Sequence, residues 1–192
     1  MNIIDKFHNW RRKLRWNKQY KSGRWDNLKS HTEAVRYKQI ISFIKTYGKA
    51  NPSIMDLGAG EGVLNEKIID LEYSYFLGMD FSSVSIKKAN KKKFQNSEFI
   101  VADLHTFKPI KQFDIIVFNE AFYYIHNTEK ENVLKTMINS LNPDGILITS
   151  IYREGTGCWE YFERDTLKQL DFVTVKTNDE KTYWKIGVYK KL

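Results

Sequence analysis

The chain has 192 residues, enough for one domain with a real core and too few for two full ones. Hydrophobic residues at 42% beside 28% charged ones exclude a disordered chain, and no stretch nears the ~20 consecutive apolar residues of a membrane span. The net charge of +8 is uneven: residues 1–38 hold eleven Lys and Arg against three Asp and Glu, and the remaining residues hold twenty of each.

The basic start carries Trp10, Trp16 and Trp25 but lacks the apolar run of a secretory signal, so a cytoplasmic location is expected. Helical spacing of Val35, Ile40, Ile41 and Ile44 predicts a helix over 32–47, ended by Gly48 and Pro52. A short buried strand follows over 53–57, then a helix over 61–71 with Leu64, Ile68 and Leu71 on one face. Strands are predicted over 75–80, 98–102 and 114–118, the last nearly all apolar as a central parallel strand should be. Ser82 is placed to N-cap the helix after the second strand. A helix over 128–141 should stop at Asn142-Pro143-Asp144-Gly145 before a strand over 146–151. A helix over 159–170 then leads to strands at 172–177 and 183–189, joined by a polar turn. Seven strands, five of them alternating with helices, predict an α/β fold: a doubly wound, mainly parallel sheet with a terminal antiparallel hairpin. The domain division read from charge is a basic aromatic segment over 1–38 and a core over 39–192. The lone Cys158 excludes an intrachain disulfide, and the scattered His8, His31 and His105 show no metal-ligand spacing.

In such sheets ligands sit beyond the carboxyl ends of the strands. The first strand ends in Asp56-Leu57-Gly58-Ala59-Gly60-Glu61-Gly62, where glycines let backbone approach a ligand closely and the next helix should present N–H groups. A dinucleotide turn needs its third glycine three residues after the second, and that position is Val63. The acids Asp56 and Glu61 are also a poor setting for a pyrophosphate. They suit a phosphate-free ligand that carries an ammonium, a carboxylate and a sulfonium. Asp80, at the end of the second strand, is placed to accept from two ribose hydroxyls, or else to cap the next helix. Asp103, past the third strand, could accept from an adenine amino group with Phe81 and Leu104 on the ring faces, or be a solvent-facing turn residue.

These motifs, with Phe113-Asp114-Ile115-Ile116 after Pro109, resemble the class I S-adenosylmethionine-dependent methyltransferases over residues 32–192. The resemblance implies S-adenosylmethionine as cofactor, with Asp56 near its ammonium, Gly58, Ala59, Gly60 and Gly62 around it, Asp80 on the ribose and Asp103 near the adenine. Asn119-Glu120-Ala121-Phe122-Tyr123-Tyr124 is similar to the Asn/Ser-Glu-x-x-Tyr-Tyr segment of small-molecule methyltransferases of the nodulation-factor and amino-sugar type. The Asn/Asp-Pro-Pro-Tyr/Phe signature of nucleic-acid amino methyltransferases does not occur. By that resemblance Asn119 belongs to the cofactor site and Glu120, Tyr124 and His126 are catalytic candidates, His126 as general base or as an ordinary loop histidine ahead of a cap at Thr128. Tyr123, Arg153 and Trp159 are acceptor-side candidates; Arg153 would pair with a phosphate or carboxylate, so a small anionic or sugar-derived acceptor of the methyl group on O or N is expected.

The basic segment has three readings: a lid in which Tyr20 and Trp25 close the cofactor pocket, a surface for RNA or another polyanion, or an amphipathic helix packed on the core. The first goes with a small-molecule acceptor, the second with an RNA or protein acceptor. A cofactor-binding accessory subunit without turnover is the non-enzymatic alternative. Oligomeric state is not legible.

Overall fold

The computed structural model describes the backbone of residues 3–192, and side chains for His8 and from Trp10 onward. Met1 and Asn2 of the basic segment lie outside the described residues. Helix α1 (Ile3–Lys21) and a 3-10 turn (Asp26–Lys29) lead into α2 (His31–Tyr47), which runs unbroken through the 38/39 boundary. Ser30 caps α2 by accepting from the Glu33 N–H, and the chain leaves the helix at Gly48. Then come β1 (Ser53–Leu57), α3 (Val63–Lys67), β2 (Tyr75–Asp80), α4 (Ser83–Lys91) and β3 (Ser97–Val101). The second half holds β4 (Phe113–Asn119), α5 (Asn127–Asn139), β5 (Leu141–Tyr152), β6 (Leu167–Lys176) and β7 (Tyr183–Lys191). Ser82 caps α4 as its position suggests.

The strands form one seven-stranded sheet in the order β3-β2-β1-β4-β5-β7-β6. Pairings are parallel from β3 through β5, while β7 is antiparallel to both β5 and β6. The doubly wound sheet with its terminal hairpin is therefore as the alternation predicts. Every residue of β4 is buried, and period-two alternation sends Ile115 and Val117 to one core and Ile116 and Phe118 to the other. Helix α2 closes the first core with Ile40, Phe43 and Ile44; α5 closes the second with Val133, Leu134 and Met137. Connections diverge between β1 and β4, which opens the crevice where ligands sit in such sheets. Among the described residues no helix is long and apolar enough to cross a membrane.

Four element expectations are corrected. The helix predicted over 61–71 is only Val63–Lys67, because Gly62 starts it in the left-handed region and the Ile68 N–H is drawn to both Leu64 and Asn65 carbonyls, tightening the last turn. The helix predicted over 159–170 is absent: a 3-10 turn (Trp159–Tyr161) is followed by β6 from Leu167, whose backbone groups pair with β7. A register shift between Gln169 and Asp171 breaks the alternation that would have marked that strand. The Asn142–Gly145 stretch, expected as a stop, is an irregularity inside β5: Phe113 pairs with Leu141 but Ile115 with Ile146. The cap of α5 is His126, not Thr128: its side chain accepts from the Thr128 N–H.

Candidate active site

A cavity of about 690 Å³ opens over the β1–β4 crevice, within the size range of small-molecule sites. Its floor is the turn after β1. Gly58 and Gly60 have φ of 86° and 56°; a Cβ on Gly58 would come within 2.9 Å of Ala121, and one on Gly60 within 2.9 Å of the Tyr20 hydroxyl. Both positions therefore need glycine. Four N–H groups of the turn are engaged within the protein. Gly58 and Ala59 both donate to the Met79 carbonyl, Gly60 to Asp80, and Gly62 back to Ala59. The turn so offers a ligand bare backbone at Gly58 and Gly60, and five-residue α3 adds no helix-terminus site.

Asp80 lines the cavity while its carboxylate accepts from Gly60 N–H at 3.0 Å and Ser82 N–H at 2.7 Å. It thus shapes the turn as well as facing the ligand space. Burial pushes its pKa up, and those two N–H groups pull the other way. Phe81, Asp103 and Leu104 line the same end of the cavity. Asp103 Oδ1 accepts from the His105 N–H at 3.0 Å and from its ring at 2.6 Å. His105 Nε2 in turn accepts from the His126 N–H at 3.0 Å, so the ring carries its proton on Nδ1.

The other end of the cavity is built from β4 and from a helix face that sequence reading passed over. Arg36 of α2 is 1% exposed. Its guanidinium donates through Nε and Nη2 to Glu33 Oε2 (3.1 and 3.0 Å) and through Nη1 to Asn119 Oδ1, and it lies over the Tyr37 ring. Glu120, at φ 55°, accepts from the Tyr123 hydroxyl at 3.0 Å and the Ser150 hydroxyl at 2.7 Å. Burial raises the pKa of Glu120 against the pull of Arg36, and burial with Glu120 raises that of Tyr123. Tyr124 stacks edge-on to Trp16 at 4.7 Å and also lines the cavity. The signal missed in the sequence was an arginine four residues before Ile40, where the apolar stripe of the helix should begin.

Helix α1 covers this crevice by bridging the loops after β2 and β4. Trp16 packs on Phe81 and Tyr124, the Ser82 hydroxyl donates to Asn17, and Arg12 donates to the Tyr124 carbonyl at 2.7 Å. Tyr20 and Trp25 line the cavity roof. Glu61 turns away from the cavity: although burial acts the other way, Lys88 and Lys29 hold its pKa below the usual carboxylate range, and Lys88 also donates to the Tyr20 carbonyl. That ion pair straps the basic segment to the glycine turn.

Five expected site residues are not on the cavity wall. His126 caps α5. Arg153 donates to the Lys181 carbonyl in the hairpin, and Trp159 donates to the Glu154 carbonyl and packs on Phe172. Gly62 packs against Phe99 and Phe94. Asp56 lies fully buried just beneath, and neither of its carboxylate oxygens has a hydrogen-bond partner among the described residues.

One match decides the family of this crevice and glycine turn: the model of the methyltransferase domain covers residues 49–190. The chain belongs to this methyltransferase-domain family. Among curated relatives it is 32% identical over 123 residues to malonyl-[acyl-carrier protein] O-methyltransferase 2 of Ilyobacter polytropus, covering 62% of this chain and 45% of that protein. It is 24% identical over 132 residues to nodulation protein S of Bradyrhizobium diazoefficiens, covering 68% and 63%. The chain thus spans less than two thirds of the length of either relative. The solved N-methyltransferase NodS from Bradyrhizobium japonicum, in complex with S-adenosyl-L-homocysteine, superposes with a TM-score of 0.76 at 18% identity, covering 87% of this chain and 91% of that one.

In this methyltransferase domain the orphaned Asp56 has a measurable consequence. Burial pushes its pKa up to about 7, opposed by Asn119 and Arg36 and reinforced by Asp80. A folded-state pKa above the unfolded value of about 3.9 means that the stability it contributes is present below pH 4 and lost as pH rises through 7. Asp56→Asn removes that loss. Its stability relative to the parent is expected to improve by roughly 2–3 kcal/mol between pH 5 and pH 8. Urea titrations at both pH values check this, and an equal difference at the two would show that Asp56 does not titrate there.

Proposed function

We propose that the chain transfers the methyl group of S-adenosylmethionine to an N or O atom of a small molecule. The observation that carries this reading is the cavity over the β1–β4 crevice, floored by Gly58 and Gly60 and underlain by a buried carboxylate, Asp56, whose oxygens accept no hydrogen bond of good geometry among the described residues. A ligand with an ammonium and a sulfonium fits a site lined by acids; a pyrophosphate fits it less well, because the N–H groups of Gly58, Ala59, Gly60 and Gly62 are already taken. Such a cofactor supplies an electrophilic methyl group, and the protein contributes binding, orientation and exclusion of water.

Asp80 keeps lone pairs for ribose hydroxyls beside its two backbone donors. Phe81 and Leu104 flank the adenine near Asp103. Of the five N–H groups of Arg36, three are engaged by Glu33 and Asn119, which leaves two for the methionine carboxylate. Tyr20 and Trp25 close the roof.

The test is calorimetric titration of S-adenosylhomocysteine into the parent and Asp80→Ala. The variant is expected to bind more weakly by about 1–3 kcal/mol, because ribose hydroxyls lose their acceptor and the turn loses its Gly60 anchor. Unchanged affinity in a variant with native near-UV circular dichroism would remove Asp80 from the site.

A further inference from the structure

The methyl acceptor can be narrowed by charge, resting on the methyl-transfer reading above. The part of the cavity at β1, β2 and β3 holds the glycine turn, Asp80 and Asp103, with Arg36 and Asn119 at its border; the remainder, lined from β4, β5, β7 and α2, is left for the acceptor. Among the described residues the arginine and lysine side chains lining the cavity are those of Arg12 and Arg36. Arg12 is directed to the Tyr124 carbonyl, and Arg36 to Glu33 and Asn119. Arg153, the residue that would have received an anionic group, is bound in the β6–β7 hairpin off the wall.

Glu33 is neutralised by its ion pair with Arg36. That leaves Glu120, hydrogen-bonded among the described residues only to the Tyr123 and Ser150 hydroxyls, as the carboxylate of the acceptor part, among the rings of Tyr37, Tyr123 and Tyr152. A carboxylate or phosphate on the acceptor would meet like charge and rings whose faces are negative. A nitrogen cation would meet opposite charge and the same faces favourably. We infer that the acceptor is an amine, held by the Glu120 carboxylate at the end of β4 against the tyrosine wall. An anionic acceptor, expected from the sequence, is disfavoured by the same groups.

An ammonium entering the site gives one proton to Glu120. The neutral nitrogen then forms the N–C bond with its lone pair while the S–C bond of the donor breaks and its electrons stay on sulfur as a thioether. The product leaves as a secondary ammonium, and Glu120 returns its proton to solvent, one per turnover. Burial of Glu120 raises its pKa, which brings it nearer that of the nitrogen it must deprotonate.

The full chain, loaded with S-adenosylhomocysteine, is titrated with benzylamine, benzyl alcohol and benzoate, three probes of one size. Benzylamine is expected to bind roughly tenfold or more tighter than either other probe, and Glu120→Gln to remove that preference while S-adenosylhomocysteine still binds. In parallel, methyl-labelled cofactor is incubated with the parent protein and a metabolite extract. Label retained on a cation exchanger and stable to mild alkali supports N-methylation; label released as volatile methanol marks a methyl ester. A benzylamine affinity no higher than that of the other probes, or alkali-labile label, overturns the amine inference alone. Failure of S-adenosylhomocysteine to bind overturns the methyl-transfer reading beneath it.

Discussion

Arg36→Met is expected to lower unfolding stability by about 3–5 kcal/mol, a large share of the ~5–15 kcal/mol that holds a domain together. The guanidinium is buried between α2 and β4, and three carboxylates or amides depend on it: Glu33 through two N–H groups, Asn119 through one, and Asp56 through its field. Removing it leaves the fully buried Asp56 and the part-buried Glu33 without a compensating cation, and the cost of an uncompensated buried charge exceeds what methionine packing on Tyr37 returns. Arg36→Lys keeps the charge but not the planar fork, so it should recover only part of the loss. Urea midpoints at pH 8, where Asp56 is charged, read the effect most clearly. A parent-like midpoint for Arg36→Met would mean that Glu33 and Asn119 find water or each other, and the buried network would not be a stabilising element.

Deleting residues 1–25 is expected to leave a folded sheet and to weaken S-adenosylhomocysteine binding by roughly tenfold to a hundredfold, with methyl transfer lost. Helix α1 adds no strand, and both cores close on α2, α3, α4 and α5, so the domain keeps its hydrophobic interior. What goes is the roof: Trp16 on Phe81 and Tyr124, Asn17 on Ser82, and Tyr20 against Gly60. Without these side chains water reaches the cavity, which weakens every electrostatic contact within it. Far-UV circular dichroism checks the fold and calorimetry the affinity. Parent-like affinity in the truncated chain would sink the lid reading and return the basic segment to its polyanion alternative.

Most of the fold was legible because it rests on local pattern. Continuous apolar runs marked β1, β2 and β4, and Gly48 with Pro52 closed α2. Failures fell where local pattern was interrupted: β6 was expected from 172 on, but its first residues from Leu167 hide behind the register shift at Gln169–Asp171, and the irregularity at Asn142–Gly145 imitates a turn. The candidate site divides the same way. Gly58, Gly60, Asp80, Phe81, Asp103 and Asn119 were found from their places after strand ends and all reach the cavity wall. His126, Arg153 and Trp159 were found by the same rule but turn to caps and hairpin carbonyls, because a loop position does not specify side-chain direction.

The amino-acid sequence by itself determined the strand-and-helix alternation, the glycine turn and its lack of dinucleotide spacing, since these follow from residue type and short-range steric rules. Only the tertiary structure decided which donors that turn still offers, that Arg36 reaches Asn119 across 83 residues, and that the basic segment lies over the crevice. The physical reason is that hydrogen-bond partners and buried charges are shared between elements distant in the chain. No spacing within one element records them. The glycine turn pointed to a ligand; in the proposed reading, the groups packed around it, Arg36, Asp56 and Glu120, set the charge that ligand and its acceptor must match.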